Sequence, residues 1–135
     1  PDNHELMVKI RQAKVDGIAD YIPFQKIDNG NATGKLLVLG WGSTYGSIKV
    51  AVRDAIAEGF DVSHAQVKYL NPFPKNLGEL LKKFDQVLIP EMNNGQLIKV
   101  IRDKYFVDAK GLNKIKGLPF TSAEIKNKII EMIGK

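Results

Sequence analysis

The sequence predicts a parallel α/β sheet with helices packed on both of its faces. Three observations predict it. After residue 34, a short apolar run followed by a helical pattern recurs three times, at the spacing of βα units. The apolar runs are near-continuous, as in Val87-Leu88-Ile89, which suits strands covered on both sides. Size also fits, since 135 residues with 44% apolar side chains can bury one sizeable core.

The elements follow in chain order. Residues 3–20 read as a helix. Asp2 or Asn3 can cap its start, Glu5 completes a capping box with Asp2, and Leu6, Ile10, Ala13 and Gly17 form a broken apolar stripe. Pro23 stops any continuation. Asn29, Gly30, Asn31 and Gly34 crowd one eight-residue stretch, 27–34, which reads as a turn or linker. The expected division is therefore a helical connector arm and linker, residues 1–34, and a core α/β domain, residues 35–135. The core starts with a strand over 35–40 and a helix over 46–58, with Gly59 placed to stop it. A second strand covers 62–70, Pro72 and Pro74 break the chain, and a helix covers 77–84. A third strand covers 86–90, and Asn93 or Asn94 caps a helix over 95–104. Residues 106–109 read as a further strand and 113–117 as another short one. Thr121 and Glu124 make a capping box for a last helix whose Ile125, Ile129, Met132 and Ile133 share one face.

Composition excludes several classes of function. Without cysteine, the chain has no disulfide, no thiolate-bound zinc or iron–sulfur cluster and no Cys nucleophile. Two histidines, His4 and His64, are too few for a His-rich metal site. The net charge is +5, but the lysines are scattered, so nucleic-acid binding is not expected. No apolar run reaches the roughly 18–20 residues of a membrane span, and no signal peptide is visible, so the expected compartment is the cytoplasm. The opening Pro1, with no initiator Met, reads as a fragment or a trimmed start.

Three strings stand out, each after a predicted strand. Gly40-Trp41-Gly42-Ser43-Thr44-Tyr45-Gly46 offers backbone N–H groups and hydroxyls at a helix start, a geometry suited to an anion. It lacks the Lys of a P-loop and the spacing of a dinucleotide fingerprint, and it reads first as a capped strand-to-helix turn with Trp41 at a surface or domain contact. Asn71-Pro72-Phe73-Pro74 is a stiff loop, either a docking knob carrying an exposed Phe73 or a rigid turn feeding a helix. In Pro90-Glu91-Met92-Asn93-Asn94-Gly95, Glu91 is a helix-dipole or ion-pair partner before it is a catalyst. The candidate interface or anion-binding residues are therefore Trp41, Gly42, Ser43, Thr44, Asn71, Phe73, Glu91, Asn93 and Asn94. All lie at the C-terminal ends of strands, the edge where open α/β sheets bind ligands and partners. His64, inside a strand with no acid or nucleophile beside it in sequence, reads as a packed structural histidine.

With Tyr69-Leu70-Asn71-Pro72-Phe73-Pro74-Lys75-Asn76-Leu77, Val87-Leu88-Ile89-Pro90-Glu91-Met92-Asn93-Asn94-Gly95-Gln96-Leu97 and the stretch from Gly111 to Phe120, the glycine-rich string makes four landmarks in order. Together they resemble the C-terminal part of the alpha subunit of 2-oxoglutarate (2-oxoacid):ferredoxin oxidoreductases, across nearly the whole chain. The resemblance implies a three-layer α/β/α sandwich with a mainly parallel sheet, transketolase C-terminal-domain-like. It implies a full enzyme that oxidatively decarboxylates 2-oxoglutarate to succinyl-CoA and passes electrons to ferredoxin, using thiamine diphosphate, Mg²⁺ and iron–sulfur clusters. The implied partners are the preceding alpha-subunit domain and the beta subunit, with ferredoxin and coenzyme A for the full enzyme. It carries no catalytic, cofactor-binding or metal-binding residue onto this chain, whose implied role is packing. Two other readings stand beside it. One is an independent anion- or small-molecule-binding module using the Gly42–Gly46 turn. The other is a docking module for an acidic protein partner, with Lys49, Lys75 or Lys99 forming a basic patch.

Overall fold

The computed structural model describes residues 18–92, 95–114 and 118–134. The predicted arm helix before residue 18, Asn93, Asn94 and residues 115–117 lie outside them. Four strands, β1 (Gly34–Trp41), β2 (Val62–Val67), β3 (Phe84–Met92) and β4 (Lys110–Lys114), form one sheet in the order β2-β1-β3-β4. Each neighbouring pair is parallel. Helices α1 (Tyr45–Ala57), α2 (Leu77–Leu81), α3 (Gln96–Tyr105) and α4 (Ser122–Ile133) connect and cover it.

The two-residue period of β1 builds the three layers. Leu36 and Val38 point into one cluster with Ile48, Ala51, Val52 and Ala55 of α1 and Ile125 and Ile129 of α4. Leu37 and Leu39 point into the opposite cluster with Leu77 and Leu81 of α2 and Leu97, Ile98 and Ile101 of α3. Each of these four β1 side chains is fully buried, contributing roughly 2 kcal/mol by leaving water. Helix α1 forms because its apolar residues recur at helical spacing, and Gly59, at φ 92°, ends the helical turn. Helix α4 opens on the predicted capping box. Thr121 Oγ1 accepts from Glu124 N at 3.1 Å, and Glu124 Oε1 accepts from Thr121 N at 3.3 Å. Lys114 donates to the same carboxylate at 2.6 Å, tying the end of β4 to α4.

Several expected boundaries change, each for a tertiary reason. The second strand stops at Val67 because its partner β1 stops opposite, at Trp41. The second helix is only five residues long because Phe84 is drawn into the sheet opposite Gly34. The fourth strand is Lys110–Lys114, not 106–109. Phe106 takes φ 56° and ends α3, a left-handed conformation no strand allows. The cap position of α3 falls to Gly95, at φ 67°; the expected caps, Asn93 and Asn94, lie outside the described residues.

Residues 28–31 run along the outer edge of β2. Asn29 forms an antiparallel bridge with His64, through Asp28 N to His64 O at 2.7 Å and His64 N to Asn29 O at 2.8 Å. Ser63 Oγ donates to Asn31 O at 2.8 Å. All six residues of β2 are buried although it is the outermost strand on that side. The segment thus covers what would be an open sheet edge.

Candidate functional site

Because the strands are parallel, the loops after Trp41, Val67 and Met92 share one edge of the sheet. That edge has two halves. The chain leaves β1 for β2 on one side and returns for β3 on the other, so a crevice is expected between the C-terminal ends of β1 and β3.

Glu91 fills that crevice. Its side chain is 1% exposed. Oε1 accepts from Leu97 N at 2.6 Å and from the Trp41 indole Nε1 at 3.3 Å, and Oε2 accepts from Ile98 N at 3.1 Å. The first N–H groups of a ten-residue helix make a ready anion site. Here the protein's own carboxylate occupies it, and Trp41 closes it from β1. Glu91 is therefore a helix-terminus partner, as its place before α3 indicated, and Trp41 is locked to it.

The β1–β2 half is different. Gly42, Ser43 and Thr44 form a single 3-10 turn leading into α1. Gly42 stands at φ 62° and, with Ser43, is exposed, whereas Thr44 is buried and donates from Oγ1 to Trp41 O at 2.9 Å. The Gly42 carbonyl accepts from Gln66 Nε2 at 3.3 Å. Gln66 Oε1 lies 2.9 Å from His64 Nε2, so the imidazole carries its proton on Nε2. Burial lowers the His64 pKa below the ordinary histidine value, against the opposing pull of the Gln66 hydrogen bond and the Asp28 charge. Gly40 makes room for this relay, since a side chain there would strike Gln66 Oε1 and Ile48 Cδ1. His64 is thus the hydrogen-bonded structural histidine expected. Gln66 and Asp28 were not anticipated. The signal for Gln66 was its spacing of two from His64 within one short strand, which places both on one face.

A groove opens over this half. One part, about 610 Å³, is lined by Asp28, Trp41, Gly42, Tyr45, Gln66 and Lys68. It adjoins a second of about 250 Å³ between Pro23, Phe24, Lys26, Tyr69 and Pro74, which shares Asp28, Gln66 and Lys68. Its outer wall, residues 23–28, is stitched down by Gln25. Gln25 N donates to Asn76 Oδ1 at 2.7 Å, Asn76 Nδ2 to Gln25 O at 2.9 Å, and Gln25 Nε2 to Gln66 O at 2.9 Å.

Phe73 is not the exposed knob considered from its flanking prolines. It is 5% exposed and packs in the α2–α3 cluster, its ring 6.0 Å from that of Tyr105. The apolar cost of leaving a phenyl ring in water outweighs the stiffness that would have presented it. Asn71 sits exposed in the same loop. Of the lysines considered, Lys75 pairs with Asp20, Lys49 lies 5.8 Å over the Tyr45 ring, and Lys99 is exposed on α3. Among the described residues, no group of three His, Cys, Asp or Glu side chains is placed to hold a metal, and no helix is long and apolar enough to cross a membrane.

An open parallel sheet in this order, sandwiched between two helical layers, defines a three-layer α/β domain of the architecture shared with a split-gene transketolase. Against that structure the TM-score is 0.57 at 15% identity, over 73% of this chain and 38% of the other, a likeness of fold alone. The model of pyruvate:ferredoxin oxidoreductase core domain II matches residues 34–127, and the chain belongs to that family. It is 49% identical over 125 residues to 2-oxoglutarate oxidoreductase subunit KorA of Mycobacterium tuberculosis, covering 93% of this chain and 19% of that protein. It is 25% identical over 133 residues to 2-oxoglutarate synthase subunit KorA of Archaeoglobus fulgidus, covering 98% of this chain and 35% of the relative. It also matches the structure of 2-oxoglutarate:ferredoxin oxidoreductase from Magnetococcus marinus with 2-oxoglutarate, coenzyme A and succinyl-CoA bound. There the TM-score is 0.86 at 30% identity, over 98% of this chain and 23% of that one. The chain thus spans about a fifth to a third of the length of the curated relatives it matches.

Proposed function

We propose that this chain is the C-terminal, accessory domain of the alpha subunit of a cytoplasmic 2-oxoglutarate:ferredoxin oxidoreductase. The full enzyme would oxidatively decarboxylate 2-oxoglutarate to succinyl-CoA and deliver electrons to ferredoxin. The domain would serve packing within the subunit and against the beta subunit, with residues 1–34 as its connector and residues 35–135 as the packed unit. The relationship to the 2-oxoglutarate oxidoreductase subunits supports the enzyme assignment. The single observation carrying the accessory role is the Glu91 lock: the crevice where such sheets bind ligands is filled by the chain's own carboxylate and indole. An independent anion site at the Gly42–Gly46 turn is the weaker reading, because the Thr44 hydroxyl is engaged with Trp41 O.

The groups implied for the full enzyme do not fit these residues. Iron–sulfur clusters need thiolates that the sequence lacks, and Mg²⁺ with thiamine diphosphate needs carboxylate or amide oxygens gathered around one point. Among the described residues, the one deeply buried carboxylate, Glu91, has its oxygens turned to N–H donors. Such groups belong to other parts of the enzyme on this reading. The test is turnover. Supplied with 2-oxoglutarate, coenzyme A, thiamine diphosphate, Mg²⁺ and a viologen acceptor, the chain alone is expected to reduce no viologen, whereas the complete alpha–beta enzyme reduces it. Reduction by the chain alone would overturn the accessory role.

A further inference from the structure

We propose that the open β1–β2 half of the strand edge is the seat of the rest of the same subunit, and that the seated surface carries carboxylates around an apolar centre. This rests on the alpha-subunit reading above. Phe24, Tyr45 and Tyr69 are 66%, 41% and 44% exposed, and with the half-buried Trp41 they line the two adjoining grooves. Aromatic side chains gathered from four separate points of the chain along one face are unusual on a surface meant for water, and Tyr, Trp and Phe are the residues enriched where proteins meet. The walls are preformed, since Gln25 holds the outer segment to Gln66 of β2 and to Asn76, and Gln66 holds β2 to the turn after β1. Little ordering is left to oppose binding.

The charge at this face is positive. Lys26 and Lys68 line the grooves and Lys49 lies over the Tyr45 ring, and among the described residues none of the three joins an ion pair. Of the carboxylates nearby, Asp28 lines both grooves as one negative charge against those three lysines, its Oδ2 accepting from Gln66 N at 2.6 Å, and Asp20 pairs with Lys75. A complementary partner therefore brings its own carboxylates. The occupant is the same polypeptide because these residues correspond to 19% and 23% of the matched 2-oxoglutarate oxidoreductase subunits. A tethered surface reaches the groove at an effective concentration that a free protein does not.

Zero-length carbodiimide coupling in the complete enzyme, read by peptide mass spectrometry, tests the occupant. Lys26 or Lys68 is expected joined to an Asp or Glu of its own polypeptide outside these 135 residues. Coupling only to another subunit or to added ferredoxin would overturn the occupant, and two uncoupled lysines would overturn the surface. Tyr69→Cys gives a second readout, because it is the sole cysteine of the isolated chain. Its maleimide labelling is expected to slow at least about ten-fold in the complete enzyme, against less than about two-fold at a Lys83→Cys control beside the N-terminal end of β3. Unchanged labelling at position 69, or equal protection at both positions, counts against this face. Viologen reduction by the same preparation separates the two ideas. An active enzyme with a reactive Cys at 69 sinks the docking face alone. A preparation inactive on 2-oxoglutarate sinks the functional reading whatever the lysines do.

Discussion

The two halves of one sheet edge differ in how they satisfy their polar groups. Between β1 and β3, the buried Glu91 joins α3, Trp41 and the strand end into one hydrogen-bonded lock. Between β1 and β2, His64, Gln66 and Gly42 form a relay that holds the turn but leaves a groove beside it, rimmed by aromatic rings and lysines. Parallel strands alone place ligands and partners at such an edge. The difference lies in what satisfies the edge: at the β1–β3 half, a buried carboxylate of the chain itself takes the helix N–H groups and the indole.

The sharpest way to break this comparison is Glu91→Ala. It leaves two backbone N–H groups and an indole N–H without their acceptor, and a loss of about 3–4 kcal/mol is expected in urea denaturation. A loss under about 1 kcal/mol would mean that the lock is ornamental. Gly40→Ala probes the boundary between the halves. Its Cβ would press on Gln66 and Ile48, and overpacking should cost about 1–3 kcal/mol. Wild-type stability in that variant would show the relay to be loosely held.

A pH titration addresses the relay itself. His64 has a lowered pKa when folded, so below about 6.5 the unfolded chain binds more protons than the folded one. Stability contributed by the neutral imidazole is present above that pH and lost as pH falls toward the folded value. Denaturation midpoints should decline with acid across this window, and the same series on His64→Gln should lack that component. Equal slopes in both proteins would remove His64 from the account. The smallest effect is expected in the open groove. Tyr69→Ser and Lys68→Ala should each change stability by less than about 0.5 kcal/mol, as at an uncommitted surface. A loss of about 2 kcal/mol at either position would make the groove structural and erase the contrast.

The same physical split explains what was readable in advance. Elements with a local signal, such as α1 with its apolar stripe, α4 with Thr121 and Glu124, and the apolar β1 and β3, were legible from period and capping. Lys110–Lys114 was not, because a polar sequence becomes a strand only where β3 offers it a row of partners. The choice between an exposed and a buried Phe73 stayed open for the same reason: the cluster that buries it comes from α2 and α3. At the site, the three loops and their shared edge followed from βα alternation, and Glu91 was recognisable as a charge at a helix start. Its joining of Trp41 to α3 was not, because the two residues are fifty positions apart.

By itself, then, the sequence determined the fold class, the parallel sense of the strands, the edge that gathers the three loops and the family. Periodicity, turn chemistry and absent residue types are local properties, and they survive without coordinates. The tertiary structure alone decided which half of that edge is closed and which is open. Closure depends on hydrogen bonds between groups brought together across the sheet by β1 and β3. Openness depends on residues 23–28 being pinned beside β2 rather than over the groove.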